Sequence, residues 1–108
     1  MPNVATRPAM AIKVVFRPKA EDDLFAIYEF IARDSPTRAI EFVRRLRSLC
    51  ASPETMPERG VLRDDFAPGV RILVFEQRVT IAYRVRKDAV QIIRFFYAGR
   101  NVPSAFRE

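Results

Sequence analysis

The residues best suited to chemistry are arginines and aromatic side chains in the C-terminal part of the chain. They lie on two neighbouring predicted strands and just beyond them: Arg84, Arg86, Arg94, Phe95, Phe96, Tyr97 and Arg100. Arginines and a tyrosine on an open sheet can hold a phosphate backbone and stack a base. Tyr97, flanked by arginines, could also act as the acid and base in RNA cleavage. The simpler interpretation stays open: a phenylalanine faces the core and the arginines form a solvated face.

Other classes of chemistry find little support in the composition. The chain has no histidine and one cysteine, so it offers no credible zinc or iron site, and its three glycines cannot form a phosphate-binding loop. We expect no cofactor and no metal. Cys50 lies in a helical pattern without a histidine to activate it, so we interpret it as a small core residue. The acids at 21–23 fit a helix start, and Asp64-Asp65 fits a solvated turn.

Charge is distributed unevenly along the sequence. Nineteen Lys and Arg residues stand against 13 Asp and Glu residues, a formal net charge of +6. Residues 18–34 carry two cations and five acids, whereas residues 70–108 carry eight cations and three acids. Most of the cations are arginines, whose guanidinium groups suit phosphate or carboxylate partners, although genomic base composition is the simpler explanation. The pattern predicts a basic C-terminal half.

The length fits a single domain. Residues 1–9 contain two prolines and show no periodicity, so we expect a flexible tail followed by one domain at 10–108. No apolar stretch approaches the ~20 residues that cross a bilayer, and the N-terminus lacks the pattern of a secretory signal. We therefore expect a cytoplasmic protein. A domain of this size has little room for a deep pocket beside its core, so its function should lie on the surface.

Hydrophobic periodicity predicts a strand followed by two helices. Ile12, Val14 and Phe16 alternate with polar residues, as in a strand. Pro18 suits the first turn of a helix, and Ser35-Pro36 supplies the cap and first turn of a second one. The apolar stripes of the two helices are Ala20, Leu24, Ile27, Tyr28 and Ile31, and then Ala39, Phe42, Val43, Leu46, Leu49 and Cys50. The short break between them predicts an antiparallel helical hairpin.

The second half of the chain reads as β-structure after a long connection. Residues 51–69 contain three prolines and two glycines and predict a series of turns. Residues 70–75, 79–85 and 89–97 then predict an antiparallel meander of three strands. The complete order is β-α-α-β-β-β. We expect an α+β domain whose N-terminal strand and helical hairpin pack on one face of an antiparallel sheet.

Several local patterns agree with a known family. The helix RPKAEDDLFAIYEFIARDSP combines a small residue, an acidic-Leu step, Ile and Tyr-x-x-Ile. The strands PGVRILVFEQRVTIAYRV and AVQIIRFFYAGRN contain Gly-x-Arg, Ile-x-Tyr-Arg-Val and the ending Ile-Arg-x-x-Tyr-x-x-Arg. In order, spacing and ending, residues 12–101 resemble the ParE/RelE superfamily of bacterial type II toxins, with details more similar to ParE.

The resemblance implies a toxin that is neutralised by a ParD-like antitoxin. In the ParE branch it implies inhibition of DNA gyrase by protein–protein binding, without catalytic residues. In the RelE branch it implies ribosome-dependent cleavage of messenger RNA, with Arg71, Arg94 and Tyr97 in the places of the catalytic residues. The lysine cluster of the RelE branch is missing here, which favours ParE.

Contacts follow from the same resemblance and from the predicted surface. The helical hairpin should offer a groove for an acidic amphipathic segment of the antitoxin, with Phe25, Tyr28 and Phe30 as contacts in a hetero-oligomer. The expected gyrase contacts are Arg94, Tyr97 and Arg100. We expect no membrane partner and no small-molecule substrate. Two other interpretations stay open: a plain nucleic-acid-binding module, and a degenerate toxin that binds antitoxin without harming cells.

Overall fold

The chain folds in the predicted order, with one additional short strand. A computed structural model describes residues 13–51, 59–87 and 89–97. Its elements are β1 (Lys13–Phe16), α1 (Pro18–Ala32), α2 (Pro36–Cys50), β2 (Val61–Leu62), β3 (Val70–Phe75), β4 (Val79–Arg86) and β5 (Ala89–Tyr97). The predicted tail at 1–9, Ile12 and Arg100 lie outside the described residues.

Helix α1 begins at Pro18, because the fixed φ of proline and its missing N–H suit the first helical position. Arg17 before it is extended, at φ −72° and ψ 158°, and its side chain makes no capping hydrogen bond. The helix buries the predicted stripe on one side, where the contacts are made by Ala20, Leu24 and Ile27, with Tyr28 and Ile31 half-buried. Phe25 and Phe30 flank this stripe and remain exposed.

Helix α2 begins with the predicted cap. The Oγ of Ser35 accepts a hydrogen bond from the backbone N–H of Arg38 at 3.2 Å, which satisfies one of the amides that a helix start leaves unpaired. Its apolar stripe is also confirmed, with Ala39, Phe42, Leu46 and Cys50 buried and Val43 and Leu49 half-buried. The two helices pack against each other across the short connection at 33–35.

The sheet contains the predicted meander, in which β4 lies between β3 and β5 and pairs antiparallel with both. The complete sheet has five strands in the order β1-β5-β4-β3-β2. It is mixed, because β1 runs parallel to β5, with Phe16 opposite Ile92. The α+β class and the element order are confirmed. The N-terminal strand, expected to pack on one face of an antiparallel sheet, instead joins the sheet as its edge beside β5, a long-range pairing that local patterns do not reveal.

The prediction that residues 51–69 form only turns is wrong. Val61 and Leu62 form the short strand β2, which pairs antiparallel with β3 and becomes an edge of the sheet. The alternation pattern could not reveal it, because two residues are too few to display a period of two.

The core divides between the two faces of the sheet because side chains alternate along each strand. The main cluster fills the space between the helices and the inner face and includes Ile81 and Tyr83 of β4. Ala82, between them, belongs to a smaller cluster on the outer face with Val70 and Phe96. The same alternation directs the positions of Arg84 and Arg86 to the outer face.

Candidate protein-binding surface

A half-buried ion pair joins helix α1 to strand β5. Asp23 accepts hydrogen bonds from Arg94, at 2.7 Å from Nε and 3.1 Å from Nη2, so carboxylate and guanidinium meet in a two-pronged pair. The same carboxylate accepts the backbone N–H of Phe95 at 2.9 Å. The Asp23 and Arg94 side chains are only 14% and 19% exposed. Three donors on one carboxylate hold the first turns of α1 against the sheet.

The place of Asp23 follows from the end of β1. The last backbone hydrogen bond along this edge runs from Arg17 N–H to the Ile92 carbonyl at 3.0 Å. Beyond Ile92, β5 continues without β1 beside it, so the partly buried backbone N–H of Phe95 needs another hydrogen-bond acceptor. The carboxylate of Asp23 is that acceptor. The interpretation of the acids at 21–23 as a helix start alone is therefore wrong for Asp23, whose partner is 71 residues away in sequence.

Tyr97 lies at the end of β5 within an aromatic cluster. Its ring meets Phe30 edge-on, with 5.4 Å between ring centroids, and Phe42 at 6.5 Å. Phe42 in turn lies 5.6 Å from Phe75. Because Phe30 is 52% exposed and Phe42 is buried, the cluster leads from the surface into the core.

An open groove of about 690 Å³ runs beside Tyr97. Its lining combines the rings of this cluster with a charged rim: Phe30, Phe42 and Tyr97, then Asp34, Arg38, Glu41, Arg45 and Arg78. Arg45 donates to both carboxylate oxygens of Glu76, at 2.8 and 2.9 Å. These hydrogen bonds lower the pKa of Glu76 and raise the pKa of Arg45. An aromatic floor with a charged rim is the composition of a protein-binding groove.

A second aromatic pair lies on the other side of α1. Phe25 and Tyr28 are stacked, with ring centroids 6.5 Å apart and planes inclined by 22°. They line a groove of about 230 Å³ together with Val43 and Arg47 of α2. Phe30 is about 140° around the helix axis from Phe25. The structure thus brings Phe25 and Tyr28 together but places Phe30 with Tyr97, so the expected antitoxin contacts flank the hairpin on two sides.

The residues required for RelE-like cleavage do not share one site. Arg71 donates to the carbonyl of Gly60 at 2.9 Å, and Arg94 is held in its ion pair with α1. Strand register separates Arg71 from Tyr97 by two strands and four residues, about 16 Å across the sheet. Base stacking on the strand end is also limited, because Phe95 and Phe96 are both 3% exposed. The interpretation that a phenylalanine faces the core is confirmed.

Cys50 is a core residue, as interpreted. Its side chain is fully buried, and burial raises the pKa of the thiol to about 12 even though the positive charge of Arg47 opposes the shift. The neutral thiol is a poor nucleophile and a poor metal ligand.

Asp64 and Asp65 accept hydrogen bonds from residues of their own loop. Asp64 accepts the backbone N–H of Gly69 at 2.8 Å, and Asp65 accepts two hydrogen bonds from Arg63, at 2.9 and 2.8 Å. Within the part of the chain that the structure describes, no three Asp, Glu, Cys or His residues are arranged to hold a metal ion.

Two residues that were not predicted as site residues hold the surface together. One is Asp23, which pairs with the predicted site residue Arg94. The other is Tyr83, whose hydroxyl accepts the backbone N–H of Gly60 at 2.7 Å. A Cβ on Gly60 would lie 2.6 Å from that oxygen, so only glycine fits. The glycine directly before a strand was the available signal in the sequence for the contact of Tyr83. No local pattern indicated the role of Asp23.

The fold and its grooves define a small α+β domain with exposed aromatic surfaces suited to macromolecular contact. No helix among residues 13–51, 59–87 and 89–97 is long and apolar enough to span a membrane. Residues 14–102 match the model of the family described as the ParE toxin of the type II toxin-antitoxin system, parDE. The chain therefore belongs to the ParE toxin family.

A solved structure supports this assignment. The chromosomal ParDE TA system from P. aeruginosa contains a chain that is 25% identical in sequence and superimposes with a TM-score of 0.68. The match covers 82% of this chain and 98% of that chain. No curated relative matches the sequence significantly.

The ion pair between α1 and β5 gives a first testable prediction. Asp23→Asn removes the charge that balances Arg94 in a half-buried site, so we expect the free energy of unfolding to fall by about 2–3 kcal/mol in urea denaturation. The matched control is Glu21→Gln, which breaks an exposed ion pair with Arg47 and should change it by about 0.5 kcal/mol or less. Equal effects of the two variants would contradict a special role for Asp23.

Proposed function

We propose that this ParE-family toxin inhibits DNA gyrase by protein–protein binding in the cytoplasm and is neutralised by a ParD-like antitoxin bound to its helical hairpin. The observation that carries the proposal is the exposure of two large aromatic side chains beside the hairpin, 62% for Phe25 and 52% for Phe30. Aromatic residues exposed around a groove mark protein-interaction sites. Membership of the ParE family and the likeness to a ParDE structure support the antitoxin as the partner.

An antitoxin segment that fits this surface is amphipathic and acidic. Its apolar side chains would contact Phe25 and Tyr28 on one flank of α1 and Phe30 on the other. Its acidic side chains would meet the arginines at the groove rims, such as Arg38 and Arg47. The net charge of +6 accelerates encounter with an acidic partner. The proposed complex is a hetero-oligomer of toxin and antitoxin.

The end of β5 is the proposed gyrase contact, through Arg94, Tyr97 and Arg100. Tyr97 is half-buried and its ring is supported by Phe30 and Phe42, so it can present a rigid edge to a partner. Arg94 orients this strand end through its ion pair with Asp23. A toxin that acts as a protein ligand needs no catalytic group, which agrees with the wide separation of Arg71 from Tyr97.

The decisive experiment combines two assays of the purified chain. One lane contains gyrase, supercoiled plasmid and ATP and is scored for linear DNA, and a parallel lane contains translating ribosomes and a defined message. We expect cleaved plasmid and intact message, with cleavage suppressed by the cognate antitoxin. Cut message with intact plasmid would assign the chain to RelE-like activity, and silence in both lanes would indicate a degenerate toxin.

The antitoxin surface gives a separate prediction. Phe25→Asp and Phe30→Asp each place a charge in an apolar contact, so each should weaken antitoxin binding by about 30-fold or more in calorimetric titration, as expected for an interface hot spot. Ile40→Asp is the control, because Ile40 is an exposed apolar residue on α2 that does not line the two grooves. All three variants should keep the thermal melting temperature within a few degrees. Unchanged antitoxin affinity would remove the substituted phenylalanine from the interface.

Tyr97 distinguishes a binding role from a catalytic one. Tyr97→Phe keeps the ring and its packing but removes the hydroxyl, so gyrase poisoning should be retained, whereas Tyr97→Ala should lose most of it. If the hydroxyl served as a general acid or base, Tyr97→Phe would instead reduce activity by about 10²–10⁴-fold. Melting curves of both variants control for the loss of aromatic packing.

A further inference from the structure

The outer face of the sheet carries a further concave surface, distinct from the two grooves that Phe25 and Phe30 line. It is a pocket of about 440 Å³ at the start of α1, and four of its lining residues are cations: Arg17, Lys19, Arg84 and Arg94. The remaining lining residues are Pro18, Ala67 and Ile93, so no carboxylate of the described chain lines the pocket. We call this surface the basic pocket.

The cations of the basic pocket are only partly neutralised. Arg94 is balanced by Asp23, but no ion pair among residues 13–51, 59–87 and 89–97 includes Arg17 or Arg84. Burial lowers the pKa of the Arg84 guanidinium, and the positive charges of Arg86 and Arg17 lower it further. Arg84 and Arg86 lie on β4 and Arg17 follows β1, so like charges from two parts of the sheet repel one another here. A bound anion would relieve that repulsion.

Arg84 is also held in a defined orientation. Its Nε donates to the carbonyl of Pro68 at 3.0 Å, which uses one of the five N–H groups of the guanidinium. A main-chain carbonyl fixes the position of the side chain without cancelling its charge. The guanidinium oriented in this way is suited to bind a phosphate through paired hydrogen bonds.

The residues that line the basic pocket favour one class of polyanionic ligand over others. An acidic peptide needs apolar anchors for affinity, and the basic pocket offers only Ala67 and Ile93 besides the proline ring. A single-stranded nucleic acid needs exposed aromatic rings for stacking, yet Phe96 on this face is buried. A duplex backbone needs neither, because charge and hydrogen bonds to phosphate supply its affinity.

We propose that the basic pocket binds the phosphodiester backbone of duplex DNA through Arg17 and Arg84. The contact is sequence-independent, because the phosphates that it engages carry no direct information about the bases. It concerns the affinity of the chain itself for DNA and does not depend on gyrase being the target.

Salt dependence of DNA binding tests the proposal. The full chain is titrated into a fluorescent duplex of about 20 base pairs between about 50 and 200 mM salt, a range over which backbone contacts weaken markedly. Two phosphate contacts predict a slope of log K against log salt of about −1.8. Arg17→Gln combined with Arg84→Gln should remove most of this slope and weaken binding by about tenfold or more at the lowest salt.

The matched control is Arg44→Gln combined with Arg59→Gln, which removes the same charge from exposed positions outside the basic pocket and should leave the slope unchanged. Arg84→Lys keeps the charge but loses the hydrogen bond to Pro68, and it should retain most of the slope. Equal losses in the two double variants would show general attraction and overturn the proposal. A loss in Arg84→Lys as large as in the Arg17/Arg84 variant would make the effect structural and would overturn it as well.

Two further ligands test which class of polyanion the basic pocket binds. Single-stranded RNA and polyglutamate of matched charge are titrated under the same conditions, and both should bind more weakly than duplex DNA. Tighter binding of the RNA would overturn the assignment to duplex DNA. Polyglutamate binding that falls in the Arg17/Arg84 variant as much as DNA binding would identify the pocket as a site for acidic protein segments and overturn the phosphate assignment.

Discussion

The surface of this toxin depends on the carboxylate of Asp23, which accepts a backbone hydrogen bond from β5 where no neighbouring strand is present. Strand β5 has β1 beside it only as far as Ile92, and the chain then leaves the sheet edge to form α1. Asp23, in the second turn of that helix, accepts the amide that β1 no longer reaches and pairs with Arg94. Asp23, Phe30, Phe95 and Tyr97 line the same groove beside α1. The ion pair therefore sets the distance between Phe30 and Tyr97, the rings through which one flank of the hairpin meets solvent.

Local patterns were sufficient for most of the fold. Proline and serine marked the starts of both helices, and alternation marked the meander, because these signals depend on neighbours within one or two turns. The parallel pairing of β1 with β5 was not accessible in this way, since it joins the two ends of the domain. Asp23 was misread for the same reason: an acid near a helix start already has a sufficient local explanation.

The two faces of the sheet carry different chemistry as a consequence of strand alternation. On β4, Ile81 and Tyr83 enter the main core while the intervening Ala82 and then Arg84 face outwards. The helices cover the inner face, and their exposed aromatic rings lie at its margins. Arg84 and Arg86 of the C-terminal half thus contribute positive charge to the outer face, whereas Arg78 lines the groove beside the helices.

The number of arginines overstates the positive charge of the surface, because several arginines form ion pairs with carboxylates of the same chain. Arg45, Arg47, Arg63 and Arg94 each contact a carboxylate of this chain, and so their charge is largely cancelled at close range. Arg94, one of the catalytic positions that the resemblance to RelE implied, has the least exposed side chain of the four. In contrast, Arg17 and Arg84 line a concave surface without a described carboxylate beside them. The arginines that the fold does not neutralise keep their full charge for a partner, and they are recognisable only once the packing is known.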